Sequence, residues 1–218
     1  MIRDSAGNIL PTGRVTQQID WDFMGGVIPS TLEVSAASTG TATAVGPSLG
    51  NVPHVRLRTA ATLNDVIRLR TSFDVDASLY TALDIALEGV WFDAGPAGGN
   101  VNFVPYLRLD ATDGTGGVQL LHTSARADVK QFAAGPTESA VSLPYMWRDG
   151  PTRRQNLRLR WEVKAKRLYV LQDDAVMWEQ TTNFAAVGLV RPGIALQAKE
   201  AYARNMYVSR MVLRLEHN

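Results

Sequence analysis

Residues 156–180 read NLRLRWEVKAKRLYVLQDDAVMWEQ, and their alternation decides the fold class. Leu157, Leu159, Trp161 and Val163 fall on one side of an extended chain, while Asn156, Arg158, Arg160, Glu162 and Lys164 fall on the other. A period of two with one apolar side is the pattern of a half-buried antiparallel strand. KAKR then reads as a tight turn and LYVLQ as the returning strand. DDA reads as a second turn before VMWEQ, so the whole stretch is predicted to be a three-strand meander.

The same pattern recurs outward in both directions. Strands are predicted at VRLRT (55–59), IRLRTSFDV (67–75), FVPYLRLDA (103–111), GVQLLHT (117–123), ADVKQFA (127–133), GIALQAK (193–199) and MYVSRMVLRLE (206–216). STLEVSAAS and TATAVGP are weaker candidates near the start. DASLYTALDIALEG also fits a helix, with Leu79, Leu83 and Leu87 four apart. Its alternation and the β-favouring VWF that follows decide for a strand from about residue 82. Many short strands divided by Gly, Pro and Asp turns predict an all-β protein, an antiparallel β-sandwich or jelly roll. A chain of 218 residues suits one such domain and buries a core without staples.

Composition excludes several functions. There are 22 basic and 21 acidic side chains and a net charge of +1, which lacks the basic surplus of a nucleic-acid binder. No cysteine is present, which excludes disulfides, thiolate nucleophiles and cysteine metal sites. The histidines His54, His122 and His217 are scattered, so no metal site or Ser/His/Asp set is predicted. No cofactor is expected. No run reaches the ~18 apolar residues of a membrane span, and the start MIRDSAGNILPTG is not a signal peptide.

Arg-Leu-Arg occurs at 56–58, 68–70 and 158–160. Its leucines belong to the core and its arginines to the opposite face, where Asp84 and Glu88 are available as cross-strand partners. The plain reading is a solvated, ion-paired sheet face. The sharper one is a row contacting a neighbouring subunit or an anionic glycan. DIALE (84–88) also raises a glycosidase pair, Asp84 and Glu88, on one strand face. Four residues of strand separate their Cα atoms by about 13 Å, and Ala86 stands between them, so no catalytic residue is assigned. Asp110 and Asp113 in DATDGTGG offer too few oxygens for calcium and read as a turn.

Two stretches, 93–100 and 133–155, are too long and too rich in Gly and Pro for tight turns. Binding usually sits on such loops. Asp93 and Asn100 in the first, with Tyr145, Trp147 and Arg148 in the second, are the predicted ligand- or partner-binding residues. Residues 1–20 lack core periodicity and are assigned to an N-terminal arm, with Ile2, Ile9 and Leu10 as assembly anchors; residues 21–218 form the sandwich.

From about Trp21 to Glu216 the chain resembles the concanavalin A-like (laminin G-like) sandwich family. The opening DWDFMGGVIPSTLEVS and the meander at 156–180 carry the resemblance, with Asp173-Asp174 where the family usually has Asp-Gly. The glucanase branch carries Glu-x-Asp-x-Glu, and in DIALE Asp84 and Ala86 replace the first two acids, so the resemblance implies binding rather than hydrolysis. The arm and the Cys-free, Ala/Thr/Arg-rich composition resemble an actinobacterial phage virion protein. What this implies is a non-enzymatic minor tail, baseplate or capsid-decoration protein in the virion. It would form homo-oligomers or contact other virion proteins, and would bind host-surface glycans. A lectin module or an endoglycosidase using Asp84 and Glu88 is the alternative.

Overall fold

The computed structural model describes residues 14–48, 52–92, 103–111, 117–122, 127–132, 137–141, 154–181, 188–198 and 201–217. The strands, in chain order, are β1 Arg14–Trp21, β2 Leu32–Ala36, β3 Thr41–Val45, β4 His54–Arg58, β5 Val66–Thr71, β6 Val75–Asp76, β7 Ala82–Phe92 and β8 Phe103–Ala111. They continue with β9 Gly117–His122, β10 Ala127–Phe132, β11 Thr137–Val141, β12 Gln155–Glu162, β13 Arg167–Gln172, β14 Ala175–Thr181, β15 Leu189–Ala198 and β16 Asn205–His217. A 3-10 turn, Ala77–Leu79, is capped by the Asp76 carboxylate, which accepts from the Ser78 N–H; the strand β7 follows, as the sequence predicts.

Two sheets form. The first runs β14-β13-β12-β7-β16-β4-β3, with β1 also on β16; the second runs β11-β10-β9-β8-β15-β5-β2, with β6 also on β15. Every strand pair described is antiparallel. The meander at 156–180 is present as predicted, and its second turn is tight. Asp173 and Asp174 have φ of 48° and 65°, so two aspartates occupy the left-handed positions where a two-residue hairpin favours Asn-Gly.

One core lies between the sheets. Leu83, Ile85, Leu87, Leu159, Trp161 and Leu213 of the first sheet meet Ile67, Leu69, Ile194 and Leu196 of the second. All are essentially without solvent contact, and each such burial contributes about 1.5–3 kcal/mol. The apolar side predicted for 156–163 is the side that packs.

Two boundaries differ from the sequence reading. Residues 14–20 do not belong to an arm: they pair with β16 from Arg14↔His217 to Trp21↔Met211. Trp21 anchors that strand, buried and donating its indole N–H to Thr31 Oγ1 at 2.9 Å. The strand escapes the sequence because Gln17 interrupts its apolar side of Val15, Ile19 and Trp21, and the register shifts between Val15 and Gln17. Residues 1–13, with Ile2, Ile9 and Leu10, lie outside the described residues. Second, the stretch 133–155 is not loop throughout, since TESAV forms β11 against β10.

Gly89 changes the phase of the first sheet. Its φ is +62°, and β12 shifts register opposite it, from Val90↔Gln155 to Leu87↔Leu157. A left-handed glycine in one strand is the mark of a bulge. Leu87 and Val90, three apart, therefore both enter the core. Glu88 and Trp91, also three apart, share the outer face. A Cβ at Gly89 would sit 2.7 Å from Ser209 Oγ, so only glycine fits there.

Candidate functional site on the outer face of the first sheet

Strand pairing puts Asp84 of β7 directly between Arg160 of β12 and Arg214 of β16. Asp84 has no solvent contact. Arg158, one pair along, turns back so that its Nε and Nη2 meet Asp84 Oδ2. Arg160 Nη1 lies 3.7 Å from that oxygen, and Arg214 Nη1 lies 3.8 Å from Oδ1. Three guanidiniums thus surround one buried carboxylate.

Arg160 has its own acids. Its two terminal nitrogens donate to both oxygens of Glu216 at 2.7 Å, and Glu162 stands 3.4 Å away. Burial pulls the Arg160 guanidinium towards losing its proton. The hydrogen bonds and charge of Glu216 outweigh it, aided by Asp84 and Glu162, and hold the proton more tightly than usual. Arg210 makes a second cluster. It donates to both oxygens of Asp20 at 2.6 and 2.7 Å and to Glu88 Oε2 at 2.9 Å, and these contacts, Asp20 first, raise its proton affinity.

Between the clusters lies a depression with Ala86 at its floor and Arg158, Arg214, Glu88, Asn156 and Asp174 among its walls. Its empty space, mouth included, is about 340 Å³. Part of that space is open solvent, so the depression is a shallow surface site. Asn156 is oriented by the bulge: its Oδ1 accepts from the Gly89 N–H at 2.9 Å.

Beyond the bulge the same face turns aromatic. Trp91 and Tyr207 stack with centroids 4.9 Å apart and planes 4° from parallel. His54 meets both edge-on at 5.0 and 5.4 Å, and the Arg154 guanidinium lies 4.9 Å over the Trp91 ring. Trp91 is nearly buried yet is not part of the core between the sheets. Glu88 and Trp91 are three residues apart, about 10 Å along a strand, so depression and aromatic cluster are neighbours.

Asp84 and Glu88 share a face, as predicted, but not a site: Asp84 is sealed among arginines and Glu88 is held by Arg210. The arginines pair across strands with Asp84 and Glu88 as predicted, but the expected solvation fails at Arg160, which is as buried as a core side chain. Asp93, Asn100, Asp113, Tyr145, Trp147 and Arg148 lie outside the described residues. Asp110, next to the end of β8, is paired with Gly117 and Arg191. The sequence reading missed the aromatic cluster. Unbroken alternation from Leu87 sends Trp91 inward, and the glycine before Val90 was the signal that it does not. Among the described residues there is no group of three metal-ligating side chains, and no helix is long and apolar enough to cross a membrane.

No family model and no curated protein matches the sequence. Solved structures do match the fold. The carbohydrate recognition domain of Emp47p superposes with a TM-score of 0.64 at 12% identity, covering 90% of this chain and 94% of that one. The GH16 protein of a Bacteroides ovatus mixed linkage glucan PUL, solved with its G4G4G3G product, gives 0.63 at 9% identity over 88% and 98%. The seed lectin of Lotus tetragonolobus gives 0.60 at 9% over 93% and 100%. The chain therefore has the all-β sandwich of concanavalin A-like lectins and glucanases. At these identities the likeness establishes the fold alone.

Proposed function

We propose that the protein is a non-catalytic carbohydrate-binding module whose ligand lies on the outer face of the first sheet. The observation that carries this is the Trp91–Tyr207 stack, an aromatic pair outside the core and next to a polar depression. Sugars are bound by that combination, an aromatic wall for the C–H face and fixed polar groups for the hydroxyls. The carbohydrate recognition domain and the seed lectin among the solved structures of this fold support the reading.

Asp84 supports binding over hydrolysis. A carboxylate with no solvent contact and three arginines around it has no route to a glycosidic oxygen. Ala86 supplies no replacement acid. The test is a glycan array followed by titration calorimetry on wild type and Tyr207→Ala, with thermal melts as the folding check. Binding weakened about tenfold or more in the variant supports the site. Release of reducing sugar by the wild type, lost in Glu88→Gln, replaces the binding module with an endoglycosidase.

The virion setting and the assembly role of Ile2, Ile9 and Leu10 remain part of the proposal, carried by composition and by the apolar content of residues 1–13. Because β1 begins at Arg14, the informative truncation starts there. Equal sedimentation of the full and truncated proteins removes the assembly role.

A further inference from the structure

We infer that the depression on the first sheet takes an acidic sugar, a uronate whose carboxylate is held by Arg158 and Arg214. This rests on the glycan-binding reading and deepens it. Arg160 is answered by Glu216 and Glu162, and Arg210 by Asp20 and Glu88. Arg158 and Arg214, which line the depression, share the single carboxylate of Asp84. Two guanidiniums share that one carboxylate, so neither is fully met by it.

The donors are also underused. Arg214 gives its Nε to the neutral Gln18 Oε1 at 3.2 Å and reaches Asp84 only at 3.8 Å, beyond hydrogen-bond range. Asp84 Oδ1 is correspondingly buried without a hydrogen-bond partner. Arg214 is thus steered by Asp84 but not saturated by it. Arg158 spends Nε and Nη2 on Asp84, and no contact among the described residues engages its Nη1. A planar carboxylate matches guanidinium donors better than a hydroxyl does, and a charge-assisted bond is roughly twice as strong as a neutral one.

The remaining walls fit the rest of a sugar ring. Asp174 and Glu88 accept hydroxyl protons and repel a second negative charge, which directs the acid group towards the arginines. The Asn156 amide nitrogen is free to donate, since its oxygen is already committed to Gly89. Neutral glycans use these groups equally well, so the arginines alone decide for an acid.

The experiment measures binding of a short oligoglucuronate, its methyl ester and the matching glucose oligomer by titration calorimetry. The ester keeps the ring and removes the charge. The acid is expected to bind about tenfold or more tightly than the ester, and the difference to shrink with added salt. Arg214→Gln should reduce that preference about threefold or more. Arg214→Lys should restore part of it, and Arg70→Gln, on the other sheet, should change nothing. Equal binding of acid and ester overturns this inference and leaves the glycan reading standing. Binding of none of the sugars here or on the array overturns both. Should Arg214→Gln fail to fold, the acid–ester comparison on the wild type still decides.

Discussion

The two outer faces of the sandwich are built from the same alternation and end up physically different. On the second sheet Arg70 pairs with Glu33, and Arg191 bridges Asp74 and Glu33 at 2.7 and 3.1 Å. Arg70 and Glu33 keep side-chain exposures of 40% and 36%. On the first sheet Arg160 and Asp84 are at 4% and 0%. The cause lies in what stands beside each arginine. Arg70 is opposite Gly193, so close that a Cβ there would lie 2.6 Å from the Arg70 Cβ. On the Gly193 side there is therefore no side chain to cover the guanidinium. Arg160 has Tyr169 on one side and Asp84 on the other, with Arg214 beyond. Long side chains from adjacent strands then exclude water from one another.

Removing Asp84 is the most severe test of that contrast. Asp84→Ala leaves Arg158, Arg160 and Arg214 around a vacated site and is expected to cost about 3–5 kcal/mol, as for breaking a buried ion pair. Glu33→Ala on the second sheet should cost under about 1 kcal/mol. Urea denaturation of both variants checks this. Equal losses would mean that the two faces do not differ.

The inner faces should show no such asymmetry. Leu159→Ala and Leu69→Ala both empty a fully buried site in one shared core, so each should cost about 2–5 kcal/mol. A large gap between them would place the difference in the sheets as wholes rather than in their outer faces.

These cases mark what the sequence discloses. Alternation identifies which side of NLRLRWEVK packs, because the period belongs to the strand itself. It does not disclose that Arg160 is buried, because that depends on β7 lying between β12 and β16, far apart in sequence. The same limit hid Trp91, whose facing is reset by one bulge at Gly89. It also hid β1, whose partner is nearly two hundred positions away at Arg210 and beyond.

A smaller effect is expected at the rim of the first face. Asp174 sits at a φ of 65°, a region that costs most residues roughly 1–2 kcal/mol and aspartate less. Asp174→Gly should therefore stabilise the hairpin by up to about 1 kcal/mol, read as a rise in melting temperature. Because Asp174 also lines the depression, the same variant should weaken sugar binding. A gain in stability with unchanged affinity would remove Asp174 from the site.

The smallest effect concerns Asp20, which ties β1 to the first face. Its hydrogen bonds from Arg210 hold the carboxyl below the ordinary carboxylate range, against a lesser opposing push from burial. A carboxyl lowered in the folded state binds its proton more weakly there than in the unfolded chain. Its stabilisation is full above the unfolded value near 3.9 and is lost as pH falls through the folded value. Asp20 is 37% exposed, so solvent and salt screen the pair, and the contribution should stay under about 1 kcal/mol. Asp20→Asn should flatten the acid limb of stability against pH slightly, and high salt should produce the same flattening in the wild type. The sealed Asp84 pair should resist that salt. An acid limb that keeps its slope in Asp20→Asn means the Arg210 pair does not help to dock β1, and the strand is then held by its backbone ladder and Trp21.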